Sequence, residues 1–115
     1  MATPIESFSS QRVNSTLLPR FVGKVVRLTC RPIKLTPAGW TVQASDGGEV
    51  LVTLMTDHLT PDAYYEVIGN VATPNSIKMF RSMNLGNDLD MPLVNDTINL
   101  MHDPRFYQKI FVESE

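Results

Sequence analysis

The sequence predicts a small, mostly-β domain that ends in one helix. Three observations predict this class: five short runs rich in β-branched and aromatic residues, tight turn signals between them, and a capped amphipathic segment near the carboxyl end. The 115 residues are the length of one domain, and 43% of them are hydrophobic, which is enough for a core.

The chain opens with a leader, a turn and a long strand. Residues 1–11 lack the basic start and apolar block of a signal peptide, and we expect a flexible leader there. NSTLLPRF (14–21) predicts a short helical turn, and VGKVVRLTCRPIKL (22–35) predicts the first strand. Pro32 should bend or bulge this strand, because proline cannot donate to a central ladder.

The next four strands are marked by alternation and by turns. In WTVQAS (40–45), Trp40, Val42 and Ala44 share one face, which predicts the second strand. DGGE (46–49) supplies the glycines of a tight hairpin turn. The remaining strands are predicted at VLVTLM (50–55), YYEVIGNVA (64–72) and IKMFRSMNL (77–85). Five strands at this spacing suit a five-stranded oligonucleotide-binding (OB) barrel, although other α+β layouts fit the same pattern.

The last element is a helix within DMPLVNDTINLMHDP (90–104). Asp90 is a favourable N-cap, and Pro92 is tolerated in the first turn because its missing N–H would be unpaired there. Pro104 should end the helix. A helix of this length is marginal alone in water, so packing must hold it.

The apolar arc of this helix is wider than one surface requires. Met91, Val94, Ile98 and Met101 recur at the three-four-three spacing of a helix seam, while Leu93 and Leu100 lie apart from them. One part of the arc is expected to pack on the domain and the other to face a partner helix; the alternative is that the whole arc plugs the barrel. The predicted interface residues are Met91, Leu93, Val94, Ile98, Leu100 and Met101.

Composition argues against several functions. A net charge of −2 does not favour a strong nucleic-acid binder, although the basic residues of the first third fall in one acid-free block. Cys30 lies in a strand-like run and is interpreted as a small buried hydrophobe. No histidines or cysteines have metal-ligand spacing, and DGGE lacks the lysine of a phosphate loop. We therefore predict no enzyme, no cofactor, no metal site and no membrane span.

Several stretches together resemble a known family. They are RVNSTLLPRFVGKVVRL, SDGGEVLVTL, YYEVIGNV and LVNDTINLMHDPRFY, which closes with Asn95, His102, Asp103, Phe106 and Tyr107. In this order the chain resembles the small subunit family of replication protein A, the eukaryotic heterotrimer that coats single-stranded DNA. The resemblance runs from about Arg12 to Val112, and the loop at PAG (37–39) departs from it.

The resemblance implies a division of the chain and a role. It implies an OB-fold barrel at 12–88, an assembly helix at 89–104 and a tail at 105–115. The helix would join one helix from the middle subunit and one from the large subunit in a three-helix bundle, and the resemblance assigns this contact to the seam of Met91, Val94, Ile98 and Met101. It also implies a nuclear location and roles in DNA replication, repair and recombination, with no small-molecule substrate and no membrane.

Direct contact with DNA is expected to be weak or absent. Single-strand binders stack bases on aromatic side chains, and only 8% of this chain is aromatic. Trp40 and one of Tyr64 and Tyr65 are predicted to face the core. The candidate nucleic-acid contacts are Arg27, Arg31, Lys78, Phe80 and Arg81. Two alternatives stay open: the small OB-fold subunit of a telomere-capping trimer, and a self-standing oligonucleotide-binding module.

Overall fold

A computed structural model of the chain describes residues 10–53 and 59–104. The described residues form a sheet, a 3₁₀ turn and one α-helix. In order they are β1 (Gln11–Val13), the 3₁₀ turn (Leu18–Phe21), β2 (Val25–Thr36), β3 (Gly39–Ala44), β4 (Glu49–Thr53), β5 (Tyr64–Thr73), β6 (Ser76–Gly86) and α1 (Met91–Met101).

The mostly-β class with a carboxyl-terminal helix is confirmed. The five predicted strands correspond to β2 to β6, and their ends agree within a few residues wherever the structure describes them. β1 is an additional strand, which pairs parallel to β2 with Arg12 opposite Arg27. Its three residues are too few to show alternation, so the pattern that predicts strands does not reveal it. The predicted leader (except its last two residues), the predicted tail and positions 54–55 lie outside the described residues.

The long strand β2 pairs with two other strands of the sheet, β5 and β3. Its first half pairs antiparallel with β5 and its second half with β3. The sheet order is β1-β2-β3-β4-β6-β5, and β5, the last strand of this order, also pairs with β2, the second. The register of β2 with β3 shifts between Pro32 and Lys34, which confirms the predicted irregularity at the proline.

A bulge between β5 and β6 depends on glycine. The register shifts where Ile68 lies opposite Arg81 and Gly69 opposite Met79, so Phe80 is the extra residue of β6. A Cβ atom at Gly69 would collide with the Lys78 carbonyl oxygen. The close approach of the two backbones therefore requires glycine at this position.

The core lies inside the closed strand order and is capped by the helix. The alternating inward residues of β2 and β3 are buried, among them Leu28, Cys30 and Trp40, as the sequence predicts. Ile98 of α1 joins the same cluster of buried side chains. Among the described residues, no helix is long and apolar enough to cross a membrane.

Candidate subunit interface

The ends of helix α1 follow from its capping residues. The Asp90 carboxylate accepts a hydrogen bond from the Leu93 backbone N–H at 3.0 Å, which confirms the predicted N-cap. At the other end, the His102 N–H donates to the carbonyl groups of Ile98 and Asn99. Regular helix thus runs from Met91 to Met101 and ends three residues before Pro104.

One side of the helix packs against its own domain. Ile98 is 1% exposed and belongs to the core, Val94 packs against the core, and Met91 is half-buried. The prediction that Met91, Val94, Ile98 and Met101 form one seam for a partner is therefore corrected at Ile98. That side chain is enclosed by its own chain, since the helix turns the middle of this stripe towards the sheet.

The opposite side of the helix carries an outer apolar strip, which we define as Leu93 and Leu100. These side chains are 61% and 48% exposed, whereas Met101, in the last turn on the same stripe as Ile98, is 39% exposed. Leu93 and Leu100 are seven residues apart, two helical turns, and so lie on nearly the same line of the helix surface. Burying such side chains is favourable, and within the described part of the chain the strip is the most exposed portion of the predicted interface.

A buried asparagine holds the inner side of the helix from a distant part of the sequence. The Asn14 side-chain N–H groups donate to Asn95 Oδ1 at 2.8 Å and to Asn99 Oδ1 at 3.0 Å. Ser45 Oγ also donates to Asn95 Oδ1 at 3.2 Å. Asn14 is 1% exposed, and its own oxygen accepts from the Leu17 N–H. We call Asn14, Asn95 and Asn99 the asparagine cluster.

The carboxyl end of the helix contacts the same amino-terminal segment. His102 Nε2 donates to the Arg12 carbonyl oxygen at 2.7 Å. The His102 ring also meets the edge of the Phe21 ring, with centroids 5.8 Å apart. Helix α1 and its C-cap therefore contact residues 12–21 through hydrogen bonds and a ring contact, in addition to packing on the core.

The turn between β3 and β4 is tied to this segment by Asp46. Its carboxylate accepts from Ser15 Oγ and Thr16 Oγ1, each at 2.8 Å, and from the Thr16 and Gly48 N–H groups. Burial alone would raise the pKa of Asp46, but these hydrogen bonds outweigh it and hold the pKa below its usual value. The carboxylate therefore fixes the hairpin turn to residues 15 and 16.

The candidate nucleic-acid contacts share one outward face of β2, β5 and β6, which we call the basic face: Arg27, Arg31, Lys78, Phe80 and Arg81. Ile68 of β5 lies opposite both Arg27 and Arg81, and Asn70 lies opposite Lys78. Arg31 extends over the Tyr64 ring, 5.9 Å from its centroid. Phe80 is exposed in the bulge. The structure thus brings together residues that the sequence separates by about fifty positions.

One arginine of the basic face has an internal partner. Glu66 is buried, and its carboxylate contacts Arg12 Nε at 2.8 Å and Arg27 Nη1 at 3.3 Å. Arg27 Nε also donates to Ser10 Oγ. Arg27 is therefore engaged in holding β1, β2 and β5 together, because a buried carboxylate needs compensating charge.

The aromatic residues lie as the alternation predicts. Trp40 and Tyr65 are buried, Tyr64 is half-buried, and Phe80 is exposed. Cys30 is buried as predicted, and burial raises the pKa of its thiol. No cluster of three or more potential metal-ligating side chains occurs in residues 10–53 and 59–104. Phe106 and Tyr107, which carry part of the family resemblance, lie outside those ranges.

Sequence reasoning missed the polar contacts that seat the helix. Asn95 and Asn99 are four residues apart on one helix face, and this spacing is a signal for a shared partner. Nothing in the sequence identifies that partner as Asn14. Glu66 gives a second signal, because a carboxylate between tyrosine and valine residues of a strand requires a cation if it is buried.

Comparisons with known proteins agree with the resemblance. The family model described as replication factor A protein 3 matches residues 1–107. The replication factor A protein 3 of Schizosaccharomyces pombe is 26% identical over 103 residues, which cover 89% of this chain and 94% of that protein.

A solved structure shares the fold. It is described as the structure of U. maydis replication protein A bound to ssDNA. The match has a TM-score of 0.76 and 24% sequence identity, and it covers 89% of this chain and 94% of the matched chain. This likeness shows the predicted OB fold. The match of the family model over residues 1–107 shows that the chain belongs to the replication factor A protein 3 family.

Proposed function

We propose that this chain is the structural, assembly-directing subunit of a heterotrimeric single-stranded-DNA-binding complex. The complex would act in DNA replication, repair and recombination in the nucleus, and the small subunit would have no catalytic role. Family membership supports this assignment. The observation that carries it is the outer apolar strip of α1, which residues 10–53 and 59–104 leave exposed.

The strip suits a partner helix better than a flat surface. The seven-residue spacing of Leu93 and Leu100 is the heptad spacing of helices that pack side by side. Complete burial of each side chain contributes about 1.5–3 kcal/mol before the costs of association. We propose that one helix from the middle subunit and one from the large subunit cover the strip, forming a three-helix bundle.

The sheet would then serve as an OB barrel beside this bundle, with single-stranded DNA held mainly by the partners. The basic face is the proposed location of any direct contact with DNA. Phe80 is the aromatic member of this face, and Tyr64 lies beside it, beneath Arg31. Two aromatic groups provide little stacking area for successive bases, so the contact is expected to be weak.

The two alternatives differ from this proposal in their partners. A telomere-capping trimer would pair the chain with a different middle subunit, and a self-standing module would need no partner. Family membership favours the first proposal. A native mass measurement of the purified chain, with and without the larger subunits, separates an assembly subunit from a self-standing module.

The strip is tested by a charged substitution with a matched control. Leu93→Asp places a carboxylate in the strip but within the first helical turn, where a negative charge favours the helix. Leu35→Asp makes the same change on β2, where the leucine is also 61% exposed. We expect Leu93→Asp to abolish co-purification with the middle and large subunits and Leu35→Asp to preserve it, with both variants folded by circular dichroism.

Equal capture of the larger subunits by Leu93→Asp and the unaltered chain would overturn the proposed interface. Equal loss in both leucine variants would show that capture does not depend on the strip in particular.

A further inference from the structure

We propose that Asn14 is a positioning residue for helix α1, which fixes the rotation of the helix about its own axis and so keeps the outer apolar strip exposed. Asn14 lies between β1 and the 3₁₀ turn, 81 residues from Asn95 and 85 from Asn99. The amino-terminal segment would thus determine which side of a carboxyl-terminal helix is presented.

Both the nitrogen and the oxygen of the Asn14 side-chain amide are hydrogen-bonded. Its two amide hydrogens have one acceptor each, Asn95 Oδ1 and Asn99 Oδ1. Its oxygen accepts from the Leu17 N–H at 3.0 Å, which begins the 3₁₀ turn. The Asn14 amide is therefore fixed by a hydrogen bond from the start of the 3₁₀ turn. It also bonds residues in two successive turns of helix α1.

These bonds constrain the helix in a way that its apolar contacts do not. Burial of Ile98 and Val94 is favourable but non-directional, so a moderate rotation of the helix would keep much of it. Hydrogen bonds depend on distance and angle. A rotation that moved Asn95 and Asn99 away would leave a buried amide unpaired, which is costly. The asparagine cluster therefore selects one rotation among those that the core would accept.

The selected rotation exposes the outer apolar strip. Ile98 and Leu100 are two positions apart, about 200° around the helix, so when Ile98 faces the core, Leu100 faces outward. Ser45 of the β3–β4 turn, which bonds Asn95, and the Arg12 carbonyl group of β1, which accepts from His102, support the same rotation. The consequence for subunit capture rests on the proposed function, whereas the rotation itself belongs to the isolated chain.

Thiol labelling of the full chain measures the positioning directly. Cys30 is buried in the core and is the only cysteine, so it reacts only when the domain opens. In Val94→Cys, a second thiol reports whether the inner side of α1 stays against the core. We expect Asn14→Ala to raise the labelling rate at position 94 by about tenfold or more, and the rate at Cys30 by much less.

Two further variants keep the experiment decisive. Asn75→Ala removes a comparable side-chain amide from the exposed β5–β6 turn and should leave both labelling rates unchanged. Asn99→Ala removes one acceptor from an exposed helix position, so it should fold even if Asn14→Ala does not, and it should raise the rate at position 94 several-fold.

Equal acceleration at Cys30 and at position 94 would overturn the proposal, because it would make Asn14 a general stability residue. Unchanged labelling at position 94 in both asparagine variants would overturn it as well. Subunit capture is scored separately. If Leu93→Asp abolishes capture while Asn14→Ala alters neither labelling nor capture, the assembly role stands and the positioning role fails.

Discussion

Ile98 and Asn14 show how single side chains seat the helix. Each is 1% exposed, one in the apolar core and the other in the asparagine cluster. Ile98 contributes transfer free energy and packing, while Asn14 contributes direction through its three hydrogen bonds. None of the buried side-chain nitrogen or oxygen atoms among the described residues is without a hydrogen-bond partner. Substitution of Ile98 should therefore lower the stability of the fold, whereas substitution of Asn14 should alter the position of helix α1.

Ile98→Ala is expected to lower the free energy of unfolding by about 2–5 kcal/mol, because it removes a fully buried side chain and leaves a cavity. Chemical denaturation of the isolated chain measures this change. Leu93→Ala is the control on the same helix and should change stability by less than about 0.5 kcal/mol, since Leu93 is exposed. An Ile98→Ala variant as stable as the unaltered chain would show that Ile98 does not belong to the core.

Elements distant in sequence are joined by polar contacts around the amino-terminal segment. Asp46 binds the β3–β4 turn to residues 15 and 16, and Glu66 binds β5 to Arg12 of β1. Asn14 and the Arg12 carbonyl group bind the same segment to α1. The short strand β1 is therefore fixed by side chains as well as by its ladder with β2, and the segment links the hairpin turn, the sheet and the helix.

The contact made by Asp46 should depend on pH. Because hydrogen bonds hold the pKa of Asp46 below its usual value of 3.8, the ionised group stabilises the fold at pH above that value. The contribution is lost as the pH falls through the lowered pKa of the folded state. Asp46→Asn should cost about 1–2 kcal/mol at neutral pH. The difference from the unaltered chain should shrink as the pH falls below 3.8 in a series of urea denaturations.

Asp88→Asn, in the exposed loop before α1, is the matched control and should change stability little at any pH in the series. A stability difference for Asp46→Asn that stays constant down to pH 2 would contradict the role given to its charge.

At the scale of the whole molecule, charge and apolar surface are separated. The net charge is −2, yet Arg27, Arg31, Lys78 and Arg81 share one face of β2, β5 and β6. The outer apolar strip lies on α1, which packs against β1 and the core. We propose that the strip receives a protein partner and that the basic face is the location of any contact with a polyanion.

Binding of single-stranded DNA by the isolated chain should be weaker than micromolar at near-physiological salt. The basic face offers few phosphate contacts, and Glu66 already neutralises part of its charge. Fluorescence anisotropy with a short labelled oligonucleotide measures the affinity. Arg81→Glu should reduce any residual binding, whereas Arg20→Glu, in the 3₁₀ turn outside β2, β5 and β6, should leave it nearly unchanged. Submicromolar binding by the unaltered chain would contradict the prediction.

The sequence by itself determined the strands β2 to β6, their turns and the N-cap of α1. These features depend on neighbouring residues: alternation in WTVQAS decides a strand, Gly47 supplies the positive φ of the hairpin turn, and Asp90 caps the helix three residues ahead. The shared face of the arginines then follows from strand pairing, which alternation alone does not specify.

Only the tertiary structure decided which side of α1 faces inward. The apolar arc offers two stripes, and helical periodicity treats them equally. The choice depends on contacts of Ile98 with the core and of Asn95 with Asn14, a residue 81 positions away. Because those contacts form only when both ends of the chain meet on the folded sheet, no local pattern contains them.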